Sequence, residues 1–219
     1  MKKSLFVALA VFGLSNLAHA ATQSWQPNPV DLYDLDHHYA YAWRIAGISI
    51  PSGDTITAAS LFFNDIRNWD SNPNQLFIHL LDSALGVGSG VSSFIDSPSD
   101  ATTFADNFAG ALYTSTSNTL ISHPSEPSNT YLTTFVNLPT TAQDITYNFT
   151  AAQLTALTSY IANGANIAFG IDPDCHYFNN GITFTLTTTP TAIPEPGSVL
   201  LLGSVAAGLL YRLRKRRSA

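Results

Sequence analysis

Apolar residues through the middle of this chain recur at every second position, a spacing that fits strands and leaves little room for helices. Tyr39, Tyr41 and Trp43 fall on one side of such a run and Ala40, Ala42 and Arg44 on the other. The run ends at Pro51-Ser52-Gly53-Asp54, a turn cluster. Thr130–Leu138 and Ile182–Thr188 alternate in the same way, and Thr55–Phe63, Asp144–Phe149 and Asn166–Ile171 are further strand candidates. Leu76–Leu81 is continuously apolar, which suits a central strand covered on both faces. Asn64–Asn74 is polar and loop-like apart from Ile66 and Trp69. Between Gly86 and Asn129 only the islands Val91–Ile95, Phe104–Phe108 and Leu112–Tyr113 read as short strands, joined by long loops.

One segment breaks the pattern. Thr150-Ala151-Ala152-Gln153 is a capping box, in which the Thr hydroxyl meets the third backbone N–H and the Gln side chain reaches back. Leu154, Leu157 and Ile161 then follow at helical spacing, and Gly164 supplies a left-handed stop. Many short strands with turn signals and a single short helix predict an all-β chain, an antiparallel β-sandwich of jelly-roll type.

Both ends carry instructions of a different kind. Lys2-Lys3, the apolar Leu5–Leu14 and Ala18-His19-Ala20 form a secretory signal peptide, cut after Ala20. At the other end Pro194-Glu195-Pro196-Gly197 precedes an uncharged stretch from Ser198 to Tyr211 and then a basic cluster, Arg212 to Arg217. Those 14 apolar residues make a helix of roughly 21 Å against a bilayer core of about 30 Å. With Leu213 and snorkelling basic stems, 198–213 is predicted as a short transmembrane helix with its basic end in the cytoplasm. The expected organisation is a signal peptide (1–20), an extended leader (21–38), a β-sandwich ectodomain (39–188), a Thr/Pro spacer (189–193) and the terminal segment (194–217).

Of 9 Lys and Arg residues, seven lie in the signal peptide or the basic terminus and only Arg44 and Arg67 elsewhere, against 15 acids from Asp31 to Glu195, so the part between those basic ends has a formal charge near −13. Such a surface repels nucleic acid and attracts divalent cations or basic partners. The single cysteine, Cys175, excludes an intramolecular disulfide, which a body of this size does not need.

The Pro194-Glu195-Pro196 motif, the apolar helix behind it and the residues Arg212, Arg214, Lys215, Arg216 and Arg217 resemble the PEP-CTERM sorting signal of Gram-negative bacteria. The resemblance implies an exported substrate of exosortase, transiently anchored in the inner membrane and then moved to the cell surface or extracellular matrix. Carriers of the signal are often exported alongside exopolysaccharide and biofilm matrix. The stretch from Tyr147 through the helix to the Asp-Pro-Asp-Cys-His turn also resembles β-rich ectodomains of such proteins, which lack a well-defined activity.

Candidate chemistry in the body is sparse. Asp172 and Asp174 flank Pro173 and could give oxygen ligands to Ca2+, with Asp31, Asp34 or Asp36 adding more if the first and last strands lie side by side; the plainer reading is a β-turn capped by Asp. Cys175 and His176 could instead be soft-metal ligands, with His37, His38 or His79 completing a zinc or copper site, but the histidines are too scattered to give a ligand spacing. Trp69 beside Asp70 and Asn72 could stack on a sugar ring while the polar groups take its hydroxyls; alternatively the indole folds back to cap the sandwich. Gly-x-Ser-x-Gly, His-Glu-x-x-His, P-loop and dinucleotide motifs are all missing from the sequence, and the body is expected to be non-catalytic.

Overall fold

The alternating runs pair into antiparallel ladders. A computed structural model of the chain describes residues 20–32, 34–82, 90–95, 106, 108, 129–164 and 166–191. The chain divides into two units, 20–189 and the two termini (1–19 with 190–219). The signal peptide, the segment 194–217 and the islands at 104–105 and 112–113 lie outside the described residues. Among the described residues, no helix is long and apolar enough to cross a membrane.

The elements are β1 (Ala21–Trp25), β2 (Asp34–Leu35), β3 (Tyr39–Ala46), β4 (Asp54–Asn68), β5 (Gln75–Leu81), β6 (Gly90–Ile95), β7 (Asn129–Val136), β8 (Gln143–Asn148), α1 (Ala151–Gly164), β9 (Asn166–Pro173), β10 (Tyr177–Phe178) and β11 (Gly181–Pro190). One sheet runs β1-β11-β4-β10-β2, with β8 also on β4; the other runs β6-β3-β9-β5-β7. The two share one core. Leu61, Phe63, Phe184 and Leu186 from the first sheet meet Trp43, Ile78, Phe169 and Ile171 from the second. This is a sandwich-like arrangement of two antiparallel sheets with one short helix.

The period of two explains which residues go where. On β3 Trp43 and Ile45 point into the shared core, while Ala40 and Ala42 join Leu81, Phe94, Phe108 and Ala168 in a second, smaller cluster. Tyr39, the first of the aromatic series, is exposed. β5 is hydrogen-bonded on both sides, to β7 and β9, and its residues feed both clusters, so its unbroken apolar run is that of a central strand. Gly170 on β9 lies under the Phe108 ring: a Cβ there would come within 2.9 Å of three ring carbons. Gly170→Ala should therefore cost about 1–3 kcal/mol through overpacking, read as a lowered urea midpoint at unchanged slope.

Four expectations are corrected. Ala21–Trp25, taken as leader, is a strand paired with β11, since Ser24 and Gln23 find partners on Thr185 and Leu186. β4 continues through the polar Asn64–Asn68 instead of stopping at Phe63. The polar residues there form a bulge: the register against β8 shifts between Phe63 and Ile66, and Asp65 sits at φ 51°. β11 runs to Pro190, so Thr189 and Pro190, expected in the spacer, belong to the last strand, behind a buried Thr188 that donates to Asp54 Oδ2 at 2.9 Å. Gly164 is the last residue of α1 and is not among the glycines with positive φ, so the helix does not use it as a left-handed stop. The capping box itself forms: Thr150 N–H donates to Gln153 Oε1 at 2.9 Å and Gln153 N–H to Thr150 Oγ1 at 3.3 Å.

Candidate functional site at a corner between the sheets

Two crossovers carry the chain between the sheets at the same end. The turn after β2 leads from the first sheet into β3 of the second, and the bend at 174–176 leads from β9 of the second into β10 of the first. They are held side by side because β2 pairs with β10 (Leu35 with Tyr177) while β3 pairs with β9 (Tyr41 with Ile171). β10 also pairs with the end of β4, Tyr177 opposite Asn68, which brings the Trp69 loop alongside. Trp69 N–H donates to the His176 carbonyl at 3.0 Å.

The first crossover is a tight turn, with Tyr39 N–H donating to the Asp36 carbonyl at 3.0 Å. Asp36 shapes it by accepting His38 N–H on Oδ1 at 2.9 Å, the local bond that favours Asp at the first turn position. The same oxygen lies 2.7 Å from His38 Nδ1 and 3.8 Å from both His37 Nδ1 and His176 Nε2. On its other nitrogen, His176 faces Asp34, with Nδ1 at 2.8 and 3.0 Å from the two carboxylate oxygens. A carboxylate only accepts, so that proton is on Nδ1. The His37 ring lies 4.0 Å from that of His38 and meets His176 edge-on at 4.8 Å. Tyr41 braces the turn from β3, its hydroxyl accepting Asp36 N–H at 3.0 Å.

Electrostatics follow from this packing. Burial depresses the His37 pKa, repulsion from His38 and His176 adds to that, and Asp36 and Asp34 offset only part of it. For Asp36 burial pulls the carboxyl upward, but the two His38 hydrogen bonds and attraction from His176 and His38 hold it below the ordinary value. Burial pushes Tyr41 up to about 12. Burial also raises the Cys175 thiol, against smaller contributions from the His176 backbone, Trp69 and Asn68, so at neutral pH it is a thiol and not a thiolate.

Trp69 stands 59 % exposed, with its ring edge-on to His176 at 5.4 Å. Asp70 and Asn72 are turned to their own loop. Asp70 Oδ1 accepts from Asn72 N–H at 2.9 Å and Asn68 Nδ2 at 3.2 Å, and Asn72 Nδ2 donates to Asp70 Oδ2. Asp172 and Asp174 are buried at the end of β9, the first inside the strand and the second with its N–H on the Gln75 carbonyl. His79 is apart from the corner: it is buried on β5 with Nε2 2.8 Å from Asp106, whose other oxygen accepts Phe108 N–H. Among the described residues, Asp36, His37 and His38 form a group whose ligand-type atoms all lie within 4.8 Å of one another. In the sequence alone, the two adjacent histidines and His176 group with Cys175 as soft-metal candidates, and Asp34 and Asp36 with Asp172 and Asp174 as oxygen ligands. The signal that joins them is Asp-x-Asp-His-His running straight into a strand, read against Cys-His at the end of another.

Elsewhere on the body a groove of about 560 Å3 runs between α1 and the 48–56 segment, lined by Ile48, Ile50, Ile56, Thr158 and Ile161. Its one ionisable side chain, Asp54, already accepts from Thr188.

Residues 192–217 match the PEP-CTERM protein-sorting motif. The chain thus carries the mark of an exosortase substrate, which implies export and transient anchoring in the membrane. No curated protein and no solved structure matches it.

Proposed function

We propose that this is a non-catalytic protein of the cell surface or extracellular matrix, processed by exosortase and associated with exopolysaccharide or biofilm, its working part a jelly-roll-like sandwich. The observation that carries the reading is the sorting motif at 192–217. Pro194, Glu195 and Pro196 are the residues the enzyme reads, the apolar helix over 198–213 holds the chain, and Arg212, Arg214, Lys215, Arg216 and Arg217 keep the end in the cytoplasm. A thiol held protonated, and a body with two cations against many carboxylates, support binding over covalent chemistry.

The exposed indole of Trp69 favours a second reading within the same class, a carbohydrate-binding module with Ca2+ on Asp172 and Asp174 as a structural ion. In that reading Trp69 stacks on sugar while Asp70 and Asn72, occupied with each other, hold the loop rigid.

The test is fractionation of a host that carries exosortase, with intact mass of the recovered protein. Wild type should lose the leader and leave the inner membrane for the surface or matrix polysaccharide fraction. The Pro194→Ala/Pro196→Ala variant should stay in the inner membrane. Equal distribution of the two proteins would refute sorting through this motif, and recovery from the surface without polysaccharide would refute the matrix role.

A further inference from the structure

Three histidines from two crossovers converge on a single carboxylate oxygen, and we infer that Asp36, His37, His38 and His176 bind a divalent transition-metal ion of the zinc class. The inference stands apart from the sorting and surface role and survives if they fail. Three imidazole nitrogens and one carboxylate oxygen are a donor set for Zn2+ and its neighbours, whereas Ca2+ takes six to eight oxygens.

The distances from Asp36 bracket the spacing of ligands that share one ion. Zinc bonds of about 2.0–2.2 Å place tetrahedral ligand atoms roughly 3.4 Å apart. Around Asp36 Oδ1 the three imidazole nitrogens lie at 2.7, 3.8 and 3.8 Å, on either side of that spacing. Asp36, His37 and His38 already form the compact group, in which His38 Nδ1 now donates to Asp36 Oδ1 and gives up that proton when the ion binds; His176 lies outside the group, with Nε2 at 3.8 Å from Asp36 Oδ1 on the facing crossover.

The outer contacts match as well. Asp34 takes the Nδ1 proton of His176, which aims the lone pair of Nε2 inward; carboxylates orient metal-bound histidines in this way. A turn cap alone needs only Asp36 and His38. It gives no role to the largely covered His37 ring (16 % exposed) or to the bond between Asp34 and His176 across 142 residues of sequence. Trp69 at the rim gives a spectroscopic reporter, since its ring touches the His176 edge.

The experiment uses the full chain in detergent, purified through a histidine-free tag, with Zn2+, Co2+ and Ca2+ as separate probes. Calorimetry should find one Zn2+ per chain, Co2+ should give the visible bands of a low-coordinate site and quench Trp69 fluorescence, and millimolar Ca2+ should not displace either ion. His37→Ala, His38→Ala and His176→Ala should each weaken Zn2+ at least tenfold, and Asp34→Asn should weaken it by about 10–100-fold. His38 is more than half exposed, so its variant keeps the fold whatever the others do. Failure of the wild-type chain to bind Zn2+ or Co2+ at micromolar concentration would overturn the site, as would undiminished binding in folded His38→Ala and His176→Ala proteins.

Discussion

Asn74→Ala should be among the most destabilising single changes in the body, costing about 3–5 kcal/mol. Asn74 is 2 % exposed and every hydrogen-bonding position of its amide is used. Nδ2 donates to the carbonyls of Asn72 (3.0 Å) and Leu138 (3.1 Å). Oδ1 accepts Leu138 N–H at 2.8 Å and the Tyr177 hydroxyl at 3.1 Å. Truncation leaves buried donors and acceptors unmatched and opens a small void beside Tyr177, which is itself fully buried. The loss corresponds to a fall in melting temperature on the order of 10 °C. Asn74→Asp should be nearly as harmful, because a carboxylate keeps the acceptors but faces two carbonyl oxygens where the amide donated. The same clip joins the end of the Trp69 loop to the residue after His176, so the variant should also blunt the response of Trp69 to metal. An unfolding free energy from urea titration within about 1 kcal/mol of wild type would show that water replaces the amide and that the clip is not structural.

What the sequence disclosed here depended on how far apart the cooperating residues lie. The capping box joins residues three apart, and it formed with both of its reciprocal bonds. The alternation over Tyr39–Arg44 and the unbroken run Leu76–Leu81 report burial of a strand's own faces, and both became strands of the second sheet. Asn64 and Asp65 misled because polarity was read as the end of a strand; the bulge instead lets two polar residues pass while Ile66 returns to the core. Ala21–Trp25 gave no sign of being a strand because Ala21, Thr22 and Ser24 are exposed on an edge and the segment's partner is β11, at the far end of the chain.

The corner site was legible in its parts and not in its assembly. The condition that the first and last strands should lie side by side is met by β1 and β11, and β2 pairs with β10 as well, yet the residues this brings together are Asp34 and His176, while Asp172 stays inside the end of β9 and Asp174 is buried just beyond it. Nothing local to Asp34 announces a histidine more than a hundred residues away. The pairing needs two independent ladders, β2 on β10 and β3 on β9, to fall in register together. For the Trp69 loop the sequence left two alternatives open, an indole offered to a sugar or folded back on the sandwich, and in the structure the indole stands exposed.

Gln153→Leu should cost about 2–4 kcal/mol, more than the loss of a helix cap alone. Gln153 is 8 % exposed and does three things at once. Its Oε1 accepts Thr150 N–H at 2.9 Å, closing the cap of α1. It also lies 2.8 Å from the Tyr147 hydroxyl, tying in β8. Its Nε2 donates to the carbonyls of Tyr131 (3.2 Å) and Leu132 (3.0 Å) on β7. Leucine fills nearly the same volume, so the loss isolates hydrogen bonding from cavity formation. The penalty stays below that of Asn74 because the Tyr147 hydroxyl, 2.6 Å from the Leu132 carbonyl, still satisfies that oxygen. Thr150→Ala, which removes only the hydroxyl partner of the cap, should cost about 1 kcal/mol. The comparison decides whether Gln153 is a cap or a rivet. If Gln153→Leu loses no more than Thr150→Ala in a denaturant titration, the bonds to β7 add nothing and α1 is held by Leu157, Tyr160 and Ile161 alone. If the double variant loses less than the sum of the two, the shared cap accounts for the difference and the remainder belongs to the bridge between helix and sheet.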